Sequence, residues 1–478
     1  MLDIDICHAA IEAKDRRFDG RFYVGVKSTG VYCRCICPAR TPKRENRTFH
    51  LSAAAAEAAG FRPCLICRPE LAPGHAPIDA QARLAAQAYA RIEAGALEER
   101  GLETLAGELG VTDRHLRRVM NAQFGASPID IAQTARLLTA KRLLAETNLS
   151  VTSIAFASGF RSLRRFNATV KERYGLCPSS LRGRRAHPDR GAMTLTLGAR
   201  GALDLAPTFA FLALRALRGV ELGGPDRYAR TLRLGESLGW IDAMATAKGL
   251  ALTVSDSLAP SLRPLIASAR GAFDLDADMT AVDAHLARDE RFTEAVEQEP
   301  GMRTPGALDG FELALRAVLG QQVTVVGART LTERLVAAFG EDVADAPEGL
   351  SRAFPRATRL AEAGAASIAK IGLPRKRAET LHRLALASAD GELPLRRGAI
   401  AAGRAALSAI PGVGPWTIEY VALRALGDPD AFPASDAAII GVLGARDELE
   451  KLRPWRAYAT VRLWRRASQS KDMKGPKP

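Results

Sequence analysis

The chain has 478 residues, 47% of them hydrophobic, which is the length of three or four ordinary domains with enough apolar content for packed cores. No run of about 18 apolar residues occurs, and the N-terminal MLDIDICHAAIEAKDRRFDG carries acids and no apolar core. That argues against a membrane helix and a secretory signal, and points to a reducing, cytoplasmic setting in which disulfides are not expected. The net charge of +14 is uneven: residues 1–190 carry +11 and residues 191–478 carry +3. A polyanion such as double-stranded DNA is therefore the expected partner of the front part, against the plainer reading of a basic, soluble surface.

Residues 1–78 are cysteine-bearing and rich in turns. GVYCRCICPAR puts Cys33, Cys35 and Cys37 within five positions, and GFRPCLICRPE follows with the Cys-x-x-Cys pair Cys64 and Cys67. Two close cysteine pairs tens of residues apart form a zinc layout, because two short hairpins can supply four thiolates at tetrahedral geometry. A redox pair or unrelated surface thiols are the competing readings. A segment this short would gain much of its folding energy from the metal. Arg34, Arg40, Lys43, Arg44 and Arg47 surround the motif as candidate phosphate contacts, or as a solvated basic loop.

Residues 79–186 read as helical. LETLAGELGVTDRHLRRVMNAQFGASP and LSVTSIAFASGFRSLRRFNATVKERYGLCPSSLR share one layout: a short apolar-periodic helix, a glycine turn at Gly110 or Gly159, then a helix with exposed cations. Those cations are Arg114, Arg117 and Arg118 in the first copy, and Arg161, Arg164, Arg165 and Lys171 in the second. The layout fits paired helix-turn-helix units, whose second helices enter the major groove. The polar linker RGRRAHPDRG then marks a boundary.

Residues 192–300 open with the alternating MTLTLGARGALDL, and ALTVSDSL alternates later; both read as strands between helices. Residues 301–467 return to helical periodicity, and the tail SQSKDMKGPKP reads as polar and disordered. Within this part, AIPGVGPWTIEYVALRAL carries a tight PGVG turn between helices, a helix-hairpin-helix pattern whose Gly412 and Gly414 let backbone amides approach a phosphate. Downstream of that hairpin, FPASDAAII places Asp436 shortly after Pro433.

Three resemblances come from these residues. DGRFYVGVKSTGVYCR-(x2)-C-PAR, REN-(x2)-F and AAGFRPCLICRPE resemble the zinc domain of the Ada methylation-response regulators, over the stretch from Asp19 to Glu70. The resemblance implies Zn²⁺ on Cys33, Cys37, Cys64 and Cys67, with Cys33 the acceptor of a methyl group from a DNA methylphosphotriester. It has no place for Cys35, which reads as a bystander. It also implies a transcriptional activator that meets RNA polymerase once methylated. IA-(x3)-GF and YG-(x2)-PS resemble the AraC-type DNA-binding domain. No Pro-Cys-His-Arg run is present, so the second, guanine-directed acceptor domain of longer Ada proteins is missing, and Cys177 reads as a buried structural thiol.

The hairpin with Asp436, together with FLALRAL, YARTL-(x2)-GE, FELALRAVLGQQV, GLPRKRAETLHRLA and RPWRAYATVRLW, resembles the AlkA 3-methyladenine DNA glycosylases along residues 193–465. The fold so implied is multidomain and mainly α: a small zinc domain, a tandem helix-turn-helix domain, a mixed α/β AlkA-like subdomain over 192–300, and an all-α helix-hairpin-helix domain over 301–467. The resemblance makes Asp436 the catalytic carboxylate, against the plainer role of a helix N-cap, and makes Trp416, Tyr420, Trp464 and Phe211 the walls of the base pocket. Trp416 stands where strand-nicking relatives carry a lysine, so a monofunctional enzyme is expected. No organic cofactor is implied. Two departures stand out. Gln322 occupies the place of an apolar wedge, and the segment AAIIGVLGARDELEKLRP between Asp436 and Trp455 is shorter than the resemblance predicts. The short segment motivates an alternative, a pure regulator with a non-catalytic glycosylase half.

Overall fold

The structure, a computed structural model, describes residues 4–15, 18–19, 22–69, 80–99, 101–146, 149–181, 191–199, 203–247, 249–443 and 449–472. It divides into two compact units, Met1–Ala135 and Arg136–Pro478. The PGHAPID loop and the linker at 182–190 fall outside the described residues.

The first unit begins with α1 (Ile4–Glu12) and a small sheet of β1 (Tyr23–Val26), β2 (Val31–Arg34), β3 (Arg47–His50) and β4 (Arg62–Pro63), with α2 (Ala53–Ala58) between β3 and β4. The sheet order is β3-β1-β2-β4. β1 pairs antiparallel with β2 and β3, while β4 lies parallel to β2. Gly25 in β1 has no room for a side chain, because a Cβ there would meet the Phe61 ring at 2.8 Å. The core is thin: Ile11, Phe22, Val24, Val26 and Ile36 pack with six buried cysteines. So few large apolar groups are consistent with a metal supplying part of the stability.

The unit continues through α3 (Ala80–Glu93), α4 (Ala96–Glu99), α5 (Leu102–Glu108), α6 (Asp113–Phe124) and α7 (Pro128–Glu146), which runs across the division between units. The second unit opens with α8 (Val151–Ala157) and α9 (Leu163–Tyr174). The pairs α5–α6 and α8–α9 repeat one local design. Gly110 and Gly159 turn with φ of 71° and 83°, Thr112 and Ser162 cap the second helices, and Gly125 and Gly175 end them in the left-handed conformation. Each cap oxygen accepts a backbone N–H, from His115 and from Arg165.

A five-stranded antiparallel sheet follows, in the order β5-β9-β8-β7-β6. Its strands are β5 (Ala192–Leu197), β6 (Glu221–Gly223), β7 (Arg227–Leu234), β8 (Ser237–Thr246) and β9 (Gly249–Ser255), with α10 (Ala206–Ala213) between β5 and β6. The sequence pattern found β5 and β9. It missed the hairpin β7–β8, where the buried polar residues Arg230 and Thr231 interrupt the alternation. The short helical turn Asp256–Ser261 after β9 packs against α8, and Arg142 Nη2 donates to the Thr196 carbonyl in β5. Thus the second helix-turn-helix copy shares a core with this sheet, a grouping not legible in the segment pattern.

The helical remainder comprises α11 (Leu262–Ala272), α12 (Met279–Leu286), α13 (Glu290–Gln298), α14 (Gly310–Leu319) and α15 (Val325–Phe339). A two-residue pair, β10 (Glu341–Asp342) and β11 (Arg352–Ala353), precedes α16 (Ala357–Ala369), α17 (Arg375–Ala389), α18 (Ile400–Ser408), α19 (Pro415–Val421), α20 (Ala437–Leu443) and α21 (Arg456–Asp472). A multidomain, mainly helical chain with a mixed α/β portion was the expectation, and it is what the fold contains. The tail differs from it: Ser468–Asp472 continue α21, with Ser468 Oγ bonded to the carbonyls of Trp464 and Arg465, and 473–478 are outside the described residues.

Sheet and helices are tied by buried charge. Glu312 of α14 accepts from Arg230 of β7 at 2.5 Å and from Arg316 at 2.9 Å, and Arg316 also donates to Glu221 at 3.0 Å. Burial alone would raise the Glu221 carboxyl, and the Arg316 and Arg230 guanidiniums outweigh it and hold it below its ordinary range.

Candidate functional sites

The first site is built by the small sheet. β2 delivers Cys33, and the turn closed by Cys37 N–H to the Arg34 carbonyl delivers Cys37. β4 is extended by Cys64 N–H to the Tyr32 carbonyl, and a turn from Arg68 N–H to the Cys64 carbonyl brings Cys67 round. All four sulfurs lie within 4.8 Å of one another, and all four residues are buried. Zinc–thiolate bonds of about 2.3 Å at tetrahedral angles place sulfurs about 3.8 Å apart, so the cluster fits the ion with little movement. The Arg34 amide N–H also points to Cys67 Sγ at 3.4 Å, the kind of outer bond that orients a ligand.

Four sulfurs this close cannot all carry charge unaided. Hydrogen bonds from Cys33 and Cys67 hold the Cys37 thiol down at about 2, and the same sharing with Cys37 pushes Cys33 far up. A divalent cation is what such a donor set accommodates. Cys35 lies outside the cluster. Its Sγ reaches the Asp15 carbonyl at 3.5 Å, and burial pushes its thiol up to about 12. Cys177 is exposed, contrary to the buried structural role expected of it.

The cations around this cluster separate into two groups. Arg34 is only 2% exposed and ion-paired with Asp19, so it holds the N-terminal segment to β2 rather than facing outward. Arg47 is likewise engaged, donating to the Pro42 carbonyl at 2.8 Å, to Glu12 at 3.3 Å and contacting His8 Nδ1 at 3.0 Å. These two do not present the phosphate-facing surface expected of them. Arg44 is exposed and pairs with Glu12, while Lys43 and Arg40 are open to solvent. On α6, Arg114 and Arg118 are exposed, and Arg117 sits 3.8 Å from Asp113. On and before α9, Arg161, Arg164, Arg165 and Lys171 are all exposed.

The second site is held by α14, α17, α19, α20 and α21. Gly412 turns the hairpin with φ of 93°, and a Cβ there would meet Thr380 Oγ1 of α17 at 2.1 Å, so only glycine fits. Gly414, which caps α19, has open space around it. Trp416 in the first turn of α19 donates its indole N–H to Asp436 Oδ2 at 2.8 Å. Asp436 Oδ1 accepts from the Ala438 and Ile439 amides at the start of α20 at 2.9 and 3.3 Å. Thus the cap and the site are one feature: the helix start fixes one carboxylate oxygen, and the indole fixes the other.

The four expected aromatic residues are brought together. Trp416 stacks on Tyr420 at 5.1 Å and 17°, Tyr420 meets Trp464 at 5.8 Å, and Trp464 stacks on Phe211 at 5.8 Å. Carbon atoms pack best at about 3.5 Å, so a base sandwiched between two rings needs them about 7 Å apart. These rings therefore touch one another, and a base enters by parting them or by stacking on an outer face. Phe211 is also covered by Arg215, whose guanidinium carbon is 3.7 Å from the ring centre.

Sequence reasoning missed two cations here. Arg424 donates to the Tyr420 hydroxyl at 2.6 Å and to the Pro305 and Gly306 carbonyls, and Arg215 donates to the Phe211 carbonyl at 3.1 Å. Burial opposes ionisation of Tyr420, but Arg424 and Arg215 outweigh it and hold the phenol below its ordinary range. The arginines sit inside the quoted motifs FLALRAL and YVALRAL, which gave no sign that both would reach one ring cluster.

Comparison with known proteins follows the same division. The metal binding domain of Ada matches residues 6–70, and a helix-turn-helix domain matches 105–184. The AlkA N-terminal domain matches 194–309, and the HhH-GPD superfamily of base excision DNA repair proteins matches 315–453. A Mycobacterium tuberculosis protein, "Probable bifunctional transcriptional activator/DNA repair enzyme AlkA", is 39% identical over 97% of this chain and 96% of its own. "DNA-3-methyladenine glycosylase 2" of Escherichia coli is 35% identical over 56% of this chain and 96% of its own. "Bifunctional transcriptional activator/DNA repair enzyme Ada" of Escherichia coli is 33% identical over 36% of this chain and 47% of its own. Joined end to end with a relative that spans nearly the whole length, these parts show that the chain belongs to the family of bifunctional transcriptional activators and DNA repair enzymes of the AlkA kind.

Proposed function

We propose that this protein senses alkylated DNA with its front part and removes alkylated bases with its back part. The observation that supports it most is the pairing of a fixed carboxylate, Asp436, with the aromatic cluster beside the hairpin. A base must leave the stack before its glycosidic bond is reachable. As that bond breaks, positive charge develops on the sugar, and the Asp436 carboxylate stabilises it and assists the attacking water. The hairpin amides near Gly412 and Gly414 hold the backbone. Trp416 stands where a Schiff-base lysine would be needed for strand nicking, so the product is an abasic site.

In the front part, Cys33 is the methyl acceptor. Cys33, Cys37, Cys64 and Cys67 would hold Zn²⁺, which would keep the thiolates deprotonated. The Cys33 sulfur forms a bond to the methyl carbon, the carbon–oxygen bond breaks, and the phosphodiester leaves as an anion with that electron pair. The thiolate becomes a thioether, so the site loses one negative charge and repels DNA phosphates less. Lys43, Arg40 and Arg44, with the cations of α6 and α9, then hold promoter DNA, and the methylated protein engages RNA polymerase in the cytoplasm.

Two assays test the halves. Wild type releases 3-methyladenine from methylated duplex DNA, and Asp436→Asn falls to background. Equal, background release from both leaves the regulator reading in place of the enzyme. Mass spectrometry after exposure to methylphosphotriester DNA finds one added methyl on the peptide bearing Cys33; its absence removes the sensor role.

A further inference from the structure

The stacked rings of Trp416 and Tyr420 are bonded to opposite charges. Trp416 holds the Asp436 carboxylate, and Tyr420 holds Arg424, which follows it by four residues in the π-helical turn Ala422–Leu426 after α19. Arg424 is only 7% exposed. Its three nitrogens donate to the Tyr420 hydroxyl at 2.6 Å, the Pro305 carbonyl at 2.8 Å and the Gly306 carbonyl at 3.1 Å. Its guanidinium carbon lies 5.3 Å from the centre of the Tyr420 ring and 4.9 Å from that of Phe211. All of these partners are uncharged, and among the described residues neither Arg424 nor Arg215 is paired with a carboxylate.

The acids close by do not cancel this charge. A cavity of about 30 Å³ is lined by both arginines together with Arg230, Arg316, Glu221, Glu312 and Asp309. Glu221 and Glu312 bind Arg230 and Arg316, and Asp309 caps α14. Four guanidiniums thus meet three carboxylates. Burial alone would raise the Tyr420 phenol, and Arg424 and Arg215 outweigh it, as a positive potential at the phenol oxygen requires. Resting on the proposed base removal, we propose that Arg424, assisted by Arg215, is the electropositive side of the base pocket and draws the glycosidic electron pair into the leaving base. When the C1′–N bond breaks, that pair goes to the base nitrogen and the sugar is left positive beside Asp436. The water oxygen then bonds to C1′, and its proton passes to Asp436. A cationic lesion leaves neutral and a neutral lesion leaves as an anion, so in both cases negative charge moves towards the guanidiniums. A base stacked about 3.5 Å from Tyr420 lies within about 9 Å of Arg424, a range over which a buried charge is little screened. Before cleavage the same charge opposes a cationic base and is indifferent to a neutral one. Its benefit therefore falls on the chemical step and not on binding.

The test compares rate with affinity in the full-length protein. Duplexes carry one 7-methylguanine, which is cationic, or one hypoxanthine, which is neutral. Single-turnover release gives the chemical step, and titration of the same lesions on 2′-fluorinated sugars, which resist cleavage, gives affinity. Arg424→Gln keeps an amide donor and loses the charge. It slows release of both bases by at least about threefold, binds the 7-methylguanine duplex at least about twofold more tightly, and binds the hypoxanthine duplex as before. Arg424→Lys restores the charge and recovers most of the lost rate. Arg215→Gln, at a half-buried position, shifts both quantities in the same directions and serves where Arg424→Gln does not fold. A variant that slows release and loosens both duplexes shows that Arg424 only props the rings and overturns the proposal, as does an unchanged rate. If wild type itself releases neither base, the glycosylase reading fails, and the affinities decide the rest: a tighter 7-methylguanine complex in Arg424→Gln keeps the electropositive wall, and an unchanged one removes it.

Discussion

Replacing Trp416 with Phe separates the two tasks of this indole. The phenyl ring can still stack on Tyr420, now 5.1 Å away, but the 2.8 Å bond from Nε1 to Asp436 Oδ2 is lost. A hydrogen bond to a charged acceptor contributes about 1.5–3 kcal/mol. Asp436 keeps its two backbone bonds on Oδ1, so the carboxylate stays near its place and the loss falls at the low end of that range. About 1.4 kcal/mol corresponds to a tenfold slower chemical step. Asp436→Asn removes the charge itself and should cost at least about 100-fold. Single-turnover release of 3-methyladenine, with enzyme in excess, reads both without product release intervening. If Trp416→Phe stays within about twofold of wild type while Asp436→Asn is inactive, the indole is a wall and not a positioning group. If Trp416→Phe falls as far as Trp416→Leu, the bond accounts for the whole loss and stacking adds nothing to it.

Cys35→Ser should keep a full equivalent of zinc, measured by metal analysis, whereas Cys64→Ser should lose it and the fold of the first sheet with it, because four sulfurs and not five form the cluster. Gly412→Ala and Gly414→Ala should behave differently. The first forces a Cβ onto Thr380 Oγ1 at an unfavourable φ and should lower the melting temperature, a strain of about 1–3 kcal/mol. The second has open space and should melt like wild type while binding DNA less tightly, by gel shift or fluorescence anisotropy. Glu312→Leu strands Arg230 and Arg316 in the core and should destabilise the second unit by about 3–5 kcal/mol in denaturant unfolding; an unchanged midpoint would show that Glu221 alone neutralises them.

The amino-acid sequence by itself determined most of what the protein is built to do. Cysteine spacing identified the metal cluster, because only close pairs can converge on one ion. The PGVG turn and Asp436 identified the hairpin site, because a left-handed glycine turn and a helix-opening aspartate are local features. The repeated glycine turns between short helices pointed to both helix-turn-helix copies for the same reason. Tertiary structure decided what depends on partners distant in the chain. Arg34 and Arg47 look like surface cations in the sequence, and Asp19, Glu12 and His8 take them up. The hairpin β7–β8 was hidden because its buried Arg230 is neutralised by Glu312, far along the chain in α14. Asp436 could be read as a cap or as a catalytic group; the fold shows the cap on one oxygen and aims the Trp416 indole at the other. Gln322 read as a missing apolar wedge. Only the tertiary structure shows that its turn is left-handed and that Arg377 of α17 holds the Gln321 carbonyl beside it. Local spacing is written in the chain, but the neutralisation of a charge or the aim of a side chain is settled only when remote segments meet.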